Sequence, residues 1–248
     1  MKSRPWLLAV LAIAMSLGAL GAITVTRAEG AGQNTGPANA DGIKVTVDHN
    51  EGDAATSEFK FAHVSRPAAD DAGAHAKLTL IAGIVDPESG GLAALTDGRV
   101  PSDEDEPGAN FFFAERTWGG RFRMDLGSAI EIAQVNSYSW HYGDRGPQVY
   151  VLYASDGTAP NFNSAPKTDV DPTTAGWRRI ARVDTRPMRN GEVIKEGYEL
   201  GGQYGVSITH ASDSIGKFRY LLFDIFEAET EDDWGNTFYS EIDVVAKK

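Results

Sequence analysis

The segment WHYGDR, residues 140–145, places an indole, an imidazole, a phenol and an Asp–Arg couple side by side. An aromatic plane stacks on the C–H face of a sugar, a guanidinium offers paired hydrogen-bond donors, and a carboxylate accepts two hydroxyl hydrogens. These side-chain types suit a site for a polar, hydroxyl-rich ligand. The segment therefore predicts ligand contacts at Trp140, His141, Tyr142, Asp144 and Arg145.

A structural interpretation of the same segment stays open. Trp140 alternates with Tyr138 along the chain, so its ring can face the core instead of solvent. Asp144 and Arg145 can hold a turn in which Arg145 pairs with Asp233. The two interpretations differ in whether these side chains are exposed, which the sequence does not determine.

The elements that must position these residues are short strands with alternating apolar side chains. Turns rich in Gly, Asp, Asn and Pro separate them, and amphipathic helical patterns are hard to find between them. This order predicts an all-β protein, an antiparallel β-sandwich of jelly-roll type, in which a hairpin loop such as WHYGDR lies at one end. The predicted strands are IKVTVDH, EFKFAHV, AKLTLIAGIVD, RFRMDLG, EIAQVNSYSW, QVYVLYAS, WRRIARVDT, GVSITH, KFRYLLFDIF and TFYSEIDVV.

Composition restricts the function further. The 248-residue chain is 42% apolar, which is enough for a folded core, and it carries a formal net charge of −12. Such an acidic chain repels phosphate backbones, so nucleic acid is not an expected partner. Cysteine is absent, which excludes disulfides, thiol nucleophiles and Cys-based zinc sites.

The N-terminal residues have the pattern of an export signal. A short basic start precedes an apolar run from Trp6 to Val25, and small residues follow at Thr26 and Ala28. We expect a signal peptide over residues 1–28, a flexible linker over 29–42 and one β-sandwich domain over 43–248. An uncleaved membrane anchor is the alternative; either way the domain lies outside the cytoplasm (secreted, periplasmic or at the cell surface), with no further membrane insertion.

The order of the motifs resembles a known family. LTDG (95–98), TW (117–118), FRMDLG (122–127), VYVLYASDG (149–157), FRYLLFDI (218–225) and TFYSEIDVV (237–245) follow one another over residues 90–246. This succession resembles the discoidin (coagulation factor V/VIII C-type) domains and the related galactose-binding-like bacterial carbohydrate-binding modules. The resemblance implies a non-catalytic, eight-stranded jelly roll with extra N-terminal strands, which binds ligands through loops at one end.

The resemblance also implies particular residues. Ligand contacts are expected from the loop before the last strand, at Asp232, Asp233, Trp234 and Asn236, facing WHYGDR. A structural Ca²⁺ is expected at Asp97, Thr117 and Glu241, together with backbone oxygens near Leu95. In the alternative, Asp97 caps a turn and Glu241 pairs with an arginine.

Two features of the acidic residues bear on partners. The loop EAETEDDWGN (227–236) is too acidic to suit an anionic membrane surface. The acidic run from Asp103 to Glu106 has the composition of a solvated loop.

Catalysis has little support in the sequence. No nucleophile elbow, zincin motif or phosphate loop occurs, and the five histidines lack metal-ligand spacing. Adjacent acids such as Asp70–Asp71 and Asp232–Asp233 do not face each other across a cleft as glycosidase carboxylates do. A jelly-roll enzyme such as a polysaccharide lyase would need a base in a groove across a sheet face.

We therefore expect an exported, non-catalytic module that binds extracellular carbohydrate through loops at one end of the sandwich. The alternative is a structural or protein-interaction module of a cell-surface assembly. The expected partner is accordingly a glycan or a cell-surface protein.

Overall fold

The computed structural model describes residues 34–35, 42–190, 192–194, 200–229 and 233–248. The predicted signal peptide, almost all of the linker, and Asp232 lie outside these ranges. Eleven β-strands and four short 3₁₀ turns occur in the described residues. The strands are β1 (Asn34–Thr35), β2 (Ile43–Asn50), β3 (Lys77–Ala82), β4 (Gly120–His141), β5 (Val149–Ser155), β6 (Arg178–Asp184), β7 (Met188–Arg189), β8 (Glu192–Val193), β9 (Gly202–His210), β10 (Gly216–Ile225) and β11 (Tyr239–Ala246); the 3₁₀ turns are Gly52–Ala54, Leu92–Leu95, Pro107–Ala109 and Pro172–Ala175.

Nine of the strands form one antiparallel sheet that folds over on itself. Its order is β1-β2-β9-β4-β10-β5-β6, and β3 and β11 also pair with β4, while β7 and β8 form a separate hairpin. The prediction of an all-β antiparallel architecture is confirmed. Strands β2 and β3 are the expected N-terminal additions.

Strand β4 connects the two halves of the sandwich. Its first residues, 120–125, pair with β3 and β10, and residues 132–141 pair with β9 and β11. Two strands separated by a GSA turn were expected here, and that expectation is wrong. One strand of 22 residues continues through the turn residues, with Gly127 at φ 80° between its two halves.

The strand registers bring many loops to one end of the sandwich. Ile225 lies opposite both Gly120 and Tyr150, so β4 and β5 start where β10 ends. The short connection 142–148 then requires that the end of β4 also lies there. At that end of β4, His141 pairs with Gly202 and Ser139 with Tyr239. The segments that follow β2, β3, β4, β6 and β10, starting at residues 51, 83, 142, 185 and 226, therefore all begin at this end, which we call the loop end.

The core lies between the two halves of the sheet. Alternate apolar residues of each strand point into it, which is the pattern that half-buried strands predict. Fully buried examples from opposite halves are Phe122, Leu221, Val206, Ile208 and Ile242.

The segment EFKFAHV, predicted as a strand, is not one. The backbone turns at Phe59, which has a φ of 45°, and residues 57–64 form turns and bends. The carboxylate of Asp48 accepts the backbone N–H groups of His63 (2.6 Å) and Val64 (2.7 Å), so these groups need no strand partner. The segment packs instead on the outer face of β4, where Phe59 lies against Tyr138 and Trp140.

None of the described residues belongs to a helix with the length and apolarity that crossing a bilayer requires.

Gly119 should be essential for the geometry of the loop end. A Cβ atom there would lie 2.1 Å from the carbonyl oxygen of Ile225, and its φ is 78°. Gly127 has a nearly identical φ of 80°, but nothing lies within 4 Å of its Cβ position. We expect Gly127→Ala to cost about 1–2 kcal/mol of unfolding free energy through backbone strain.

Gly119→Ala carries the same strain plus the steric clash, so its loss should exceed that of Gly127→Ala by at least about 2 kcal/mol. Urea unfolding of both variants measures the difference. Equal losses would show that the two segments do not approach each other as described.

Candidate functional site

Asn236 ties the loops of the loop end together. Its side-chain amide donates to the carbonyl oxygens of Ala114 (3.1 Å) and Thr117 (2.8 Å). Beside it, the backbone N–H of Arg116 donates to the carbonyl of Asp233 at 2.9 Å. These bonds fix the segment before β4 against the segment before β11.

Arg145 lies within an aromatic cluster at this end. Its guanidinium carbon is 4.1 Å from the ring centroid of Phe238, 4.7 Å from that of Phe112 and 5.9 Å from that of Trp234. Its Nε donates to the carbonyl of Asn236 at 2.9 Å. Cation–π contact and this hydrogen bond hold the guanidinium in one place beside the Trp234 ring.

Three of the predicted ligand residues are accessible. Trp234 is 49% exposed and Tyr142 is 44% exposed. The carboxylate of Asp233 is also exposed and accepts from Nε of Arg116 at 2.9 Å. Asp233 therefore pairs with Arg116, whereas Arg145 was the partner considered from the sequence. Together with the half-buried Arg145, these residues form what we call the aromatic lip: Tyr142, Arg145, Asp233 and Trp234.

Three other predicted ligand residues are buried, and for them the structural interpretation holds. Trp140 is 5% exposed because the segment around Phe59 covers it, with the two rings edge to face at 5.7 Å. Asn236 is 1% exposed and is used in the loop contacts described above. His141 is 7% exposed. Asp144 is half-buried in the turn that follows β4.

His141 supports the aromatic lip from below. Its ring stacks on Tyr142 at 4.4 Å and meets the edge of Phe238 at 4.7 Å. Its Nδ1 accepts the N–H of Gly143 at 3.1 Å, which identifies that nitrogen as unprotonated. Burial, with a smaller contribution from Arg145, lowers the pKa of His141 to about 4. The imidazole is therefore neutral at neutral pH and acts as a platform for Tyr142.

A cavity that the sequence did not indicate lies beside Tyr142. It has a volume of about 410 Å³. It opens where β2 and β4 end and β9 begins. In the sequence, the only indication of this cavity is that its lining residues lie near the ends of predicted strands. Glu104 belongs to the acidic run that was predicted as a solvated loop, and it lines this cavity. The lining residues are Glu51, Gly52, Ala55, Glu104, Tyr142, Gly201 and Gly202.

The predicted calcium ligands Asp97 and Glu241 do come together. Glu241 is fully buried, its Oε2 accepts the N–H of Gly98 at 3.0 Å, and its Oε1 has no hydrogen-bond partner. Burial raises the pKa of Glu241 to about 9, and the charges of Asp243 and Asp97 add to the rise. Burial likewise raises the pKa of Asp243 to about 6. Clustered carboxyl oxygens are the donors that a hard cation prefers, and a bound cation would stabilise the deprotonated form of Glu241 that burial disfavours.

The third predicted ligand, Thr117, makes other contacts in this structure. Its hydroxyl donates to the carbonyl of Ala114 at 2.5 Å, and its carbonyl accepts from Asn236. Thr117 thus takes part in the loop contacts before β4, and its place in the ligand set stays a prediction. Asp97 also caps a turn, since its Oδ1 accepts the N–H of Arg99 at 2.9 Å. In the described part of the chain, no three acidic or histidine side chains are already arranged around a metal position. Asp97 and Glu241 fit a cation.

Comparison with known proteins gives matches among solved structures. No protein-family model and no curated protein matches the chain. A CBM32-1 module from a family 31 glycoside hydrolase of Clostridium perfringens is 13% identical over 71% of this chain and 98% of its own, with a TM-score of 0.40. The lectin domain of lectinolysin, complexed with Lewis B antigen, is 10% identical over 72% of this chain and 98% of its own, with a TM-score of 0.43.

A second C. perfringens module, CpGH89CBM32-5 in complex with GalNAc-β-1,3-galactose, is 15% identical over 72% of this chain and 100% of its own, with a TM-score of 0.39. By name, these structures are carbohydrate-binding modules and a lectin domain. The strand registers above, rather than these likenesses, define the architecture of this chain.

The buried imidazole of His141 makes the loop end sensitive to acid. Its pKa is about 4 in the folded protein against 6.5 ordinarily, so between these values the unfolded chain takes up a proton that the folded protein does not. Stability is therefore fully present above pH 6.5 and falls as the pH drops toward 4. This group alone accounts for up to about 3 kcal/mol.

We expect His141→Gln to lose less unfolding free energy than the wild type between pH 6.5 and 4.5, as measured by urea unfolding. His75 is exposed, and His75→Gln is the matched control, which should keep the wild-type loss. An unchanged loss in His141→Gln would contradict the buried, neutral state of His141.

Proposed function

We propose that this protein is an exported, non-catalytic recognition module that binds extracellular carbohydrate at its loop end. The observation that carries the proposal is the exposed ring of Trp234 beside the fixed guanidinium of Arg145. Asp233, the residue that precedes Trp234 in the chain, adds an exposed carboxylate. An accessible aromatic plane next to charged groups is the combination that binds a sugar by both its C–H face and its hydroxyls.

The rigidity of the lip supports this proposal. A ligand that stacks on Trp234 meets groups that Asn236, Phe112 and Phe238 already hold in place. Preorganised groups lose little conformational entropy on binding, which favours a recognition site over an incidental surface patch.

A protein-interaction module is the second candidate. It is favoured by further exposed apolar side chains: Trp118 is 83% exposed, Ile84 65% and Phe226 40%. Backbone contacts join the segments that carry Trp118 and Phe226, because Gly119 packs on Ile225. An apolar partner surface would suit these residues, whereas a sugar would suit the lip around Trp234 and Arg145.

Export rests on the N-terminal sequence pattern, and the absence of catalysis rests on the lack of catalytic motifs in the sequence. We also infer that Ca²⁺ binds beside Asp97 and Glu241. The support is the unpartnered Oε1 of the buried Glu241 and the carboxylates of Asp97 and Asp243 close to it. A cation there would stabilise the charged form of Glu241, which burial and the charges of Asp243 and Asp97 disfavour.

Trp234→Ala should abolish most glycan binding. We expect the affinity for any glycan identified on an array to fall at least about tenfold, because a central aromatic contact is lost. Trp118→Ala is the matched control, an exposed tryptophan outside the lip, and should change the affinity less than about threefold. Isothermal titration calorimetry measures both.

Two outcomes would contradict the proposal. If no glycan binds the folded wild type, the protein-interaction candidate is favoured. If Trp118→Ala loses binding and Trp234→Ala keeps it, the site is at the exposed apolar side chains and not at the lip.

Calcium should stabilise the protein through Glu241. At a Ca²⁺ concentration about 100-fold above its dissociation constant, binding contributes about 2.7 kcal/mol. For a domain of this size, that raises the melting temperature by about 5–10 °C over its value in chelator. Glu241→Gln should lose this response and, in chelator, be about as stable as the wild type, because a carboxyl group with a pKa of about 9 is already neutral at pH 7 and the amide is its neutral isostere.

Glu131→Gln is the control, because Glu131 is exposed on β4 away from Asp97, and its Ca²⁺ response should equal that of the wild type. The same wild-type melting temperature in Ca²⁺ and in chelator would rule out the proposed ion.

A further inference from the structure

The cavity beside Tyr142 has the size of a small-ligand site. Its volume of about 410 Å³ lies within the range of typical small-molecule pockets. Its walls come from four separate parts of the chain: the segment after β2, the acidic loop around Glu104, the residue that follows β4, and the start of β9. Because these parts meet only in the folded protein, the cavity is a product of the loop end and not of one loop.

The walls of this cavity carry negative charge. Glu51 and Glu104 line it, and none of its described lining residues is Lys or Arg. The carboxylate of Glu51 lies 3.3 Å from Nδ1 of His49. His49 does not offset this charge at neutral pH, because burial lowers its pKa.

The hydrogen bonds of His49 also indicate a neutral imidazole. Its Nε2 lies 2.9 Å from the carbonyl oxygen of Gly201, so that nitrogen carries the proton of the neutral ring. The ring also stacks on Tyr204 at 4.0 Å, which fixes its orientation. Two carboxylates therefore line a cavity to which the other described lining residues contribute no positive charge.

The aromatic wall adds a second attraction for a cation. Tyr142 is 44% exposed, and its ring rests on the neutral His141 at 4.4 Å. A phenol face attracts an ammonium group through its quadrupole, and the same face stacks on the C–H groups of a sugar ring. A ligand that combines a sugar ring with a positive charge would use both kinds of wall.

We propose that this cavity binds an ammonium-bearing saccharide, a hexosamine unit whose amine is not acylated, with Tyr142 under the sugar ring and Glu51 and Glu104 around the ammonium group. This inference rests on the proposed function, because Tyr142 belongs to both the cavity and the aromatic lip. It adds the selection of a cationic sugar over neutral and acidic sugars. Uronic acids and sulfated sugars are disfavoured, because their charge has the same sign as the cavity.

The direct test measures how tightly the full chain binds two tetrasaccharides. One is a β-1,4-linked glucosamine tetramer with free amines, and the other is the same tetramer fully N-acetylated. Isothermal titration calorimetry at pH 6 and fixed ionic strength should give at least tenfold tighter binding for the free-amine tetramer. N-acetylation removes the charge and leaves the rest of the saccharide backbone in place, so the ratio isolates the ammonium contacts.

Variants locate the contacts. Glu51→Gln/Glu104→Gln should reduce the preference for the free amine to less than about threefold, and Tyr142→Ala should weaken both tetramers. Glu88→Gln/Glu131→Gln is the matched control: it removes the same number of charges from exposed positions outside the cavity. This control should keep the preference for the free-amine tetramer. It thereby distinguishes binding in the cavity from the general attraction of a cationic sugar to a chain with net charge −12. Melting temperatures verify that each variant is folded.

The outcomes separate this inference from the proposed function. Equal affinity for the two tetramers, lost in Trp234→Ala, would overturn the ammonium site and leave carbohydrate binding intact. Binding of neither tetramer nor any array glycan would overturn both. A preference that survives Glu51→Gln/Glu104→Gln, or a tetralysine peptide that binds as tightly as the free-amine tetramer, would also overturn the ammonium-saccharide site, the latter in favour of a basic protein segment.

Discussion

The course of β4 is the constraint on which the other features depend. One strand pairs with β3 and β10 in its first half and with β9 and β11 in its second, and both of its ends lie at the loop end. The two halves of the sheet are therefore joined covalently as well as by their shared core. Because the strand turns back, Thr117 before it and Tyr142 after it flank the same surface, although 24 positions separate them in the chain.

Two carboxylates hold the long segment between β2 and β3 against the sheet. The buried Asp48 accepts the N–H groups of His63 and Val64, and the half-buried Asp71 accepts those of Gly73 and of Val244 in β11, each at 2.6–2.7 Å. Asp48 thus replaces the strand partner that the loop backbone lacks, and Asp71 joins its loop to the last strand. Some of the acidic residues of the chain therefore have a structural role.

At the candidate site, the sequence reveals the chemical type of each side chain but not whether that side chain is exposed. The residue types in WHYGDR and around Trp234 include those that form the aromatic lip. Their exposure was not predictable: Trp140 is covered by Phe59 and Asn236 by its own loop contacts, while Trp234 and Tyr142 stay exposed. Glu51 and Glu104 carried no motif, because two acids far apart in the chain give no signal until the loops that hold them meet.

The sequence by itself determined most of the strands, their alternation and the all-β class, because the side-chain period of a half-buried strand is local and repeats every two residues. It also determined which chemical groups were available. The tertiary structure alone decided that β4 is one strand and not two, that EFKFAHV forms turns that cover β4 and not a strand, and that Thr117 bonds to Ala114 and Asn236. Each of these depends on the backbone partner or the packing neighbour that a segment meets, and those are set by contacts between residues distant in the chain.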